Sequence, residues 1–242
     1  MSLRRRCVSS TLPVCCLALV LMPATWAGDK AALPTLRWAE SQPGCTFSAD
    51  DDGKYRYGLW TEEFGIILAV DSQELRKTAL RTEPIFAVLL TVRYRGQDSL
   101  SLRPADSSLE FVKHYRDVQP ALDPDNLATR FWNDTARFSA QTEQEIRKHP
   151  EKKADKEAAL QEHKNNVGQM LEFLKARSLR EVKVDANHPE AAGWLFFSAR
   201  SKWVGGWKKQ EEFVLRIALP DRTIEFPFAL PPSQGDLILR RR

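Results

Sequence analysis

The chain has 242 residues and a mass of 27.6 kDa, with 43% hydrophobic residues, 11 Gly, 14 Pro and 4 Cys. This composition excludes collagen-like, low-complexity and disulfide-dense chains, and the length is sufficient for a sizeable core. The 36 Lys and Arg exceed the 32 Asp and Glu by four, but three of the basic residues fall within Arg4–Arg6, so the rest is almost neutral and gives no indication of nucleic-acid binding.

The N-terminus has the pattern of a secretory signal peptide over residues 1–27. A basic start at Arg4–Arg6 precedes an apolar run from Leu12 to Met22 and a small-residue cleavage site at Thr25–Ala27. The run is about half of the roughly 20 apolar residues that a membrane helix needs. We therefore expect a protein exported to the periplasm or beyond the cell, beginning near Gly28 and without a stable transmembrane segment. Retention of the signal as an anchor stays an open alternative.

Cysteine usage follows from the same signal peptide. Cys7, Cys15 and Cys16 lie within it, which leaves Cys45 alone in the rest of the chain. An internal disulfide is then excluded. We interpret Cys45 as a small buried apolar residue.

The first half of the remaining chain predicts β-strands. The segments Phe64–Val70 and Ile85–Tyr94 are rich in β-branched and aromatic residues and predict central strands. The turn residues Gly96–Ser99 follow, and they predict a hairpin-like return into the strand Leu100–Pro104. A further strand is expected at Leu109–Val112.

The apolar period then changes to that of helices. Asp123 and Pro124 provide a capping acid and a first-turn proline, and apolar residues recur at helical spacing after them. Pro150 breaks the pattern. We predict two antiparallel helices, about 124–148 and 150–178, that form a hairpin insertion. Its distal part, Glu143–Lys164, holds six acidic and six Lys or Arg residues and should be solvated.

Strand patterns return after the helices, at Glu181–Val184, Trp194–Phe197, Phe213–Leu219 and Thr223–Phe228. Pro227 lacks an amide donor, which predicts that the last strand lies at an edge or ends there. The predicted organisation is one β-sandwich domain over 28–232 with the helical insertion at 124–178. Residues 233–242 are expected to form a flexible basic tail.

Two segments carry a resemblance to a known family. The run Phe86–Tyr94 before a polar turn, and Ala192–Phe197 before two closing strands, are similar to immunoglobulin-like domains found in many exported bacterial proteins. The resemblance implies a mainly β fold of the α+β class, an immunoglobulin-like antiparallel β-sandwich that carries a two-helix hairpin. It implies no activity.

One loop has the composition of a binding surface. Around Gly205–Gly206, a favourable hairpin turn, the chain places two indole rings among basic side chains. These residues are candidate ligand contacts for an anionic polymer, a sugar or a headgroup: Lys202, Trp203, Trp207, Lys208 and Lys209. The structural alternative is that the two tryptophans pair across the hairpin.

The acidic run Asp50–Asp52 before Gly53 is the other candidate. Its spacing lacks the glutamate at the twelfth position of a calcium loop, where Thr61 stands. A pair of carboxylates formed with Glu62 would be needed for a hydrolase. We otherwise interpret the run as a tight polar turn, and we predict no catalytic residue, metal ligand or cofactor site.

These patterns favour an exported, non-enzymatic binding or structural module of the cell envelope. An envelope or extracellular protein or a polysaccharide is the expected partner. Two alternatives stay open, a secreted hydrolase using the carboxylates at Asp50–Asp52 and Glu62, and a periplasmic assembly factor that acts through the helical hairpin. The sequence leaves the oligomeric state undetermined.

Overall fold

The structure of the protein, a computed structural model, describes residues 33–71, 84–199 and 210–232. These residues belong to one compact unit that begins at Leu33. Within them lie two α-helices, α1 (Pro124–Lys148) and α2 (Lys153–Arg177), and short 3₁₀ turns at Pro104–Asp106 and Pro150–Lys152. The strands of the same ranges are β1 (Thr35–Arg37), β2 (Cys45–Ala49), β3 (Lys54–Trp60), β4 (Phe64–Asp71), β5 (Ile85–Tyr94), β6 (Ser99–Leu102), β7 (Ser107–Phe111), β8 (Asp117–Pro120), β9 (Val182–Asp185), β10 (Glu190–Ser198), β11 (Glu211–Ala218) and β12 (Thr223–Leu230).

The fold is mainly β, with two helices, and belongs to the α+β class. One five-stranded sheet has the order β1-β12-β11-β7-β8, and we call it the β11 sheet. The other has the order β10-β5-β4-β3-β2, and we call it the β5 sheet. Strands β6 and β9 form a small third sheet. The pairing is antiparallel except for the short parallel contact of β1 with β12.

The two large sheets share one apolar core because alternate side chains of each strand point inward. In β5 these are Phe86 and the alternate residues after it, and in β11 they include Phe213. The rings of Phe86 and Phe213 are stacked with their centroids 4.9 Å apart, which joins the two sheets directly. Tyr57 and Phe228 make a second ring contact between the sheets at 6.0 Å.

Several predicted strands are confirmed, but one predicted hairpin is wrong. Strands β4 and β5 are interior strands of the β5 sheet, as their apolar runs indicate. Strand β6 does not return along β5 after the turn at Gly96–Ser99; it pairs with β9, from beyond the helices. Leu100 and Leu102 of β6 are buried in the common core, so burial of this apolar pair outweighs the local turn signal.

The prediction for Pro227 holds only in part. Strand β12 lies between β1 and β11, so it is not an edge strand in the order of the sheet. However, β1 pairs only with Thr223–Glu225. Beyond Glu225 the described residues provide no strand on that side, and Pro227 can stand there without removing a ladder bond.

The two helices form the predicted hairpin, which we call the arm (residues 124–177). Asp123 caps α1 and accepts hydrogen bonds from the amides of Asp125 and Asn126, with Pro124 in the first turn. The antiparallel register is marked by Phe138 and His163, whose ring centroids lie 4.6 Å apart. No helix in the part of the chain that the structure describes is long and apolar enough to cross a lipid bilayer.

Both ends of the arm are attached to β10, the edge strand of the β5 sheet. The amide of Leu122 donates to the carbonyl of Phe196 at 2.7 Å, and the amide of Leu179 donates to the carbonyl of Trp194 at 2.9 Å. Unpaired edges promote aggregation, so these contacts also protect part of β10. Arg180 donates two hydrogen bonds of 2.8 Å to the carboxylate of Asp125 and joins the two ends to each other.

A row of alternating charges crosses the outer face of the β11 sheet. Glu225 accepts from Arg37 at 2.6 Å and from Arg216 at 2.8 Å. Glu110 accepts from Arg216 at 2.5 Å and from Arg116 at 2.6 Å. Only 3% of Glu110 is exposed, which makes it the buried centre of the row.

We expect Glu110→Gln to lower the free energy of unfolding by about 1–2 kcal/mol at pH 7. This is less than the loss on breaking a fully buried ion pair, because the partner residues Arg116 and Arg216 are partly exposed. Burial raises the pKa of Glu110, but the hydrogen bonds from Arg116 and Arg216 outweigh it and hold the pKa below its ordinary value. A lowered carboxyl pKa contributes stability above the pKa of the unfolded chain, and this contribution is lost as the pH falls.

Urea denaturation at pH 7 and pH 3 measures both parts of this prediction. The difference between Glu110→Gln and the unaltered protein should shrink below about pH 4, the ordinary range of a glutamate pKa. Glu212→Gln is the matched control, because Glu212 is exposed and pairs only at the surface with Lys113. An equal loss at both pH values would show that the charge of Glu110 is not the cause.

Candidate functional site

The outer face of the β5 sheet carries an apolar groove at the base of the arm. Outward-facing residues of β5 and β10 form its floor, and the first turns of α1 and the last turns of α2 form its wall. Its volume is about 280 Å³, and we call it the base groove. It is lined by Lys54, Asp71, Ile85, Ala87, Leu127, Phe131, Met170, Phe173, Leu174, Trp194 and Phe196.

The helical residues of the groove follow from the spacing of the arm sequence. Leu127 and Phe131 are four residues apart on α1, and Met170, Phe173 and Leu174 repeat the same spacing near the end of α2. Residues three or four apart share one face of a helix. Leu127 and Leu174 are almost fully buried against the sheet.

The floor of the groove is aromatic. Trp194 and Phe196 alternate with the core residues of β10 and therefore point away from the main core. The ring of Phe173 lies 5.8 Å from that of Trp194 and 6.4 Å from that of Phe196, with an edge-to-face angle in the second pair. These contacts hold the arm against the sheet beside the groove.

The mouth of the groove is charged. Lys54 of β3 and Asp71 of β4 are cross-strand neighbours at the open end of the β3–β4 hairpin, away from its turn. The ammonium of Lys54 also lies 3.1 Å from the carboxylate of Asp52. The mouth therefore carries both signs of charge next to an apolar interior.

At the other end of the outer face, the indole of Trp60 covers the sheet. Its Nε1 donates to Oγ1 of Thr46 at 3.4 Å, and the guanidinium of Arg95 lies 5.4 Å from its ring centre. A Cβ atom on Gly65 would lie 2.2 Å from the Trp60 ring. Glycine at this position lets the indole lie close to the backbone, so this part of the face is filled by the protein itself.

The acidic run Asp50–Asp52 forms the tight polar turn that was its main interpretation, and it is salt-bridged; the calcium and hydrolase sites were the alternatives. Arg56 donates to Asp50 and, at 2.8 Å, to Asp52. The hydrogen bond from Arg56 is the main reason why the pKa of Asp52 lies below its ordinary value. A carboxylate held ionised by an arginine is suited to structure and not to proton transfer at neutral pH.

The structure also separates this run from Glu62. The seven residues of β3 lie between them, and a strand of this length spans about 20 Å. Paired carboxylates in glycoside hydrolysis lie roughly 5–10 Å apart. The predicted carboxylate pair of Asp50–Asp52 with Glu62 is therefore wrong, because the two members lie at opposite ends of one strand. In the described ranges, no group of three or more His, Cys, Asp and Glu is arranged to hold a metal ion.

The predicted aromatic and basic loop, with Lys202, Trp203, Trp207, Lys208 and Lys209, lies outside the described residues. Its described flanks are at one end of the fold. The amide of Ala199 donates to the carbonyl of Pro84 at 3.0 Å, directly before the groove residue Ile85. The side chain of Gln210 donates to the carbonyl of Pro231 at 3.0 Å.

Sequence reasoning did not identify the base groove. Its helical members repeat at helical spacing, which is the ordinary pattern of residues that pack on a core. The signal that could have indicated it is the apolar character of outward positions in β5 and β10, namely Ile85, Ala87, Trp194 and Phe196. A strand that is apolar on both faces must be covered on both.

No protein-family model matches the chain, and no curated protein sequence matches it. Among solved structures, the chain is similar to a candidate lipoprotein, ycdA, from Bacillus subtilis subsp. subtilis str. 168. The two are 9% identical with a TM-score of 0.32, over 82% of this chain and 42% of that one. The chain thus spans less than half of the length of that protein, and a likeness of this size supports no conclusion about fold or function.

Proposed function

We propose that this chain is an exported, non-enzymatic binding module of the cell envelope, and that the arm of an immunoglobulin-like sandwich holds its partner. The arm itself is the observation that carries the proposal. Each of its helices has 25 residues, and both ends are fixed to β10 by backbone hydrogen bonds. A helical pair held in this way presents its surface at a defined angle to the sheets.

The exposed apolar side chains support the arm as the contact surface. Five large apolar side chains are exposed among the described residues, and two of them, Trp132 and Phe138, lie on α1. Trp132 is 65% exposed. An exposed tryptophan on a rigid helix is typical of the few residues that dominate binding energy at protein interfaces.

The charges of the arm support a protein partner. Its distal part carries equal numbers of acidic and basic residues, including the i, i+4 pair Lys153 and Glu157. A balanced charge pattern suits a partner with complementary charges of both signs, and such contacts contribute mainly to specificity and association rate. The contribution of these charges should fall as salt is added.

The proposal is tested by shortening the arm within its own register. Phe138 packs against His163, so removal of residues 141–160 and a short Gly-Ser link from Ala140 to Gln161 keeps the remaining helices in register. The chain from Gly28 to Arg242 and this shortened form are used to capture partners from an envelope extract. We expect the shortened form, which loses the distal charges but keeps Trp132 and Phe138, to capture less partner at low salt and a similar amount at high salt.

Trp132→Ala is the point variant for the same experiment. Tyr115→Ala is its control, since Tyr115 is an exposed aromatic residue that lies away from the arm, in the turn between β7 and β8. A partner retained by both the shortened form and Trp132→Ala would contradict the arm as the contact surface. The same capture identifies a periplasmic assembly factor, the second role that the arm suits, if the partner is itself an unassembled envelope protein.

The aromatic and basic loop is proposed as a second contact for a polysaccharide or other anionic polymer, through Lys202, Trp203, Trp207, Lys208 and Lys209. Its composition favours this role, because indole rings supply broad contact area and neighbouring lysines attract anionic groups. The double variant Trp203→Ala and Trp207→Ala should lose cosedimentation with envelope fractions at low salt. Unchanged cosedimentation would remove the loop from the proposal.

A further inference from the structure

We infer that β2, the edge strand of the β5 sheet, pairs antiparallel with β2 of a second copy of this chain, so that the two β5 sheets join into one. The edge concerned is opposite to the one that carries the arm, and the inference does not depend on the proposed role of the arm. It follows from the open backbone of β2, the order of its five side chains and the residues at its two ends.

Strand β2 is an unprotected edge. In the part of the chain that the structure describes, it pairs with β3 on one side only. Edge strands usually carry charges or prolines, or are covered, which prevents further pairing. The other three edges of the two large sheets have such features: β1 contains Arg37, β8 contains Asp117 and Pro120, and the ends of the arm cover part of β10. Strand β2, with the sequence Cys-Thr-Phe-Ser-Ala, contains neither a charge nor a proline.

The pairing with β3 leaves alternate backbone groups of β2 pointing outward. The amide of Asp50, directly after β2, donates to the carbonyl of Lys54 in the register of the two strands. Bonded positions alternate along an antiparallel pair, so Cys45, Phe47 and Ala49 direct their backbone groups to the open side. The amide of Cys45 is bonded within the preceding turn. The amides of Phe47 and Ala49 have no partner within the described ranges and can join a further strand.

The order of the side chains in β2 fits a second copy of the same strand. Read in either direction, it is small apolar, hydroxyl, aromatic, hydroxyl, small apolar. When two copies pair antiparallel about Phe47, each Phe47 faces the other, each Thr46 faces Ser48, and each Cys45 faces Ala49. Aromatic pairs and Thr–Ser pairs across strands are stabilising. A strand that matches itself in reverse therefore selects its own copy over an unrelated segment.

The side chains of β2 leave apolar surface for such a copy to cover. Cys45, which the sequence predicts to be buried, is only half-buried at this edge, as are Phe47 and Ala49. The ring of Phe47 lies 5.1 Å from that of Tyr57, so its inner side already belongs to the core. Pairing would remove the remaining apolar surface of this row from water in both copies.

The residues at the two ends of β2 set the register. A shift of the pairing toward the end of the strand places Cys45 opposite Asp51 and brings the acidic runs of the two copies together. A shift toward the start places Ala49 opposite Pro43, which has no amide to donate. Pairing about Phe47 avoids both and uses all five residues of the strand.

The resulting dimer has a continuous sheet of ten strands with β10 at each end. Neighbouring strands are about 4.8 Å apart, so the two β10 strands lie about 43 Å from each other across the sheet. Each β10 carries an arm, and the dimer presents two arms at a fixed separation. Two linked binding surfaces increase the overall affinity for a repetitive partner.

A charge exchange at the exposed residues Thr46 and Ser48 tests the pairing. The double variant Thr46→Lys/Ser48→Lys places lysine opposite lysine in both pairs. The double variant Thr46→Lys/Ser48→Glu places opposite charges at the same positions, and it is the matched control because it also loses the contact of Thr46 with Trp60. Circular dichroism reports whether both variants are folded.

Sedimentation velocity of the chain from Gly28 to Arg242, at about 5 μM to about 500 μM, measures the dimer dissociation constant. We expect dimers of the unaltered chain in the upper part of this range. The dissociation constant of the Lys–Lys variant should be at least tenfold higher than that of the Lys–Glu variant, and the difference should shrink in about 1 M salt.

A disulfide cross-link tests the register. Cys45→Ser removes the single cysteine outside the predicted signal peptide. In this background, Thr46→Cys in one copy and Ser48→Cys in the other lie about 4.5 Å apart between Cα atoms, which a disulfide can bridge. The same position in the two copies is about 7–8 Å apart, which is too far. With oxidised glutathione, we expect a cross-linked dimer in the mixture of the two variants and little in either alone.

Three results would overturn the inference. A monomer throughout the concentration range would show that a second copy does not occupy this edge. Equal dissociation constants for the two charge variants would place a dimer contact elsewhere on the protein. Equal cross-linking of each cysteine variant alone and of the mixture would reject pairing about Phe47. The form with the shortened arm should dimerise like the unaltered chain, so failure of the arm as a contact surface is distinguishable from failure of the β2 edge.

Discussion

Replacing Phe213 by alanine should lower the free energy of unfolding by about 3–5 kcal/mol, the usual range for removal of a buried aromatic ring. Phe213 is only 2% exposed. Its ring centroid lies 4.9 Å from that of Phe86, 5.0 Å from that of Phe228 and 5.4 Å from that of Phe111. Loss of the ring leaves a cavity between both large sheets, which neither sheet can fill by moving alone.

Equilibrium unfolding in urea, followed by tryptophan fluorescence, measures this effect. Phe138→Ala is the matched control, because Phe138 is 36% exposed and contacts His163 on the arm. We expect the control to lose less than about 1 kcal/mol, as surface substitutions usually do. Equal losses in the two variants would mean that the aromatic cluster does not join the sheets in solution.

A pair of glycine substitutions should act in opposite directions. Gly193 lies in β10, where a Cβ atom would stand 2.5 Å from both the nitrogen and the Cα atom of Leu179. Because both neighbours are backbone atoms, Gly193→Ala must push the chain at Leu179 away from β10. We expect a loss of about 2–3 kcal/mol, in the range of overpacked sites.

Gly168→Ala is the matched control for this change. Gly168 lies within α2, and a Cβ atom there would meet nothing within 4 Å. Alanine in an open helical position should raise the stability by about 0.5–1 kcal/mol, because glycine loses more backbone entropy on folding. Thermal unfolding of both variants measures the contrast. A neutral Gly193→Ala would indicate that β10 and Leu179 are not in close contact.

The elements that sequence reasoning predicted well are those with a long local pattern. Strand β5 has ten residues with a continuous apolar run, and each helix of the arm has 25 residues with a clear beginning or a proline break. Strands β1, β2, β3 and β8 were not predicted, and for β1 and β8 the reason is that three or four residues show no period. They depend on partners in the sheet to become strands at all.

The features that sequence reasoning got wrong depend on distant partners. Leu100 and Leu102 of β6 pair with β9 after the entire arm, and no local signal encodes this pairing. The acidic run at Asp50–Asp52 is the exception, because the residue that rules out its alternative role as a site is near in sequence: Arg56, four residues from Asp52, neutralises it. The base groove needs the arm, β5 and β10 together, so it exists only in the folded chain.

The attachment of the arm to β10 has a consequence for how freely its length can change. The entropic cost of closing a flexible loop grows with the logarithm of its length, so a doubling costs only about 0.6 kcal/mol. The bonds of Leu122 and Leu179 to β10, and the bridge between Asp125 and Arg180, all lie at the base and do not depend on what lies beyond it. Insertion or removal of about seven residues, close to two turns, in each helix would keep the same faces together. The length of the arm can therefore change independently of the stability of the sheets. Residues at its tip can be added or removed without rebuilding the fold that carries it.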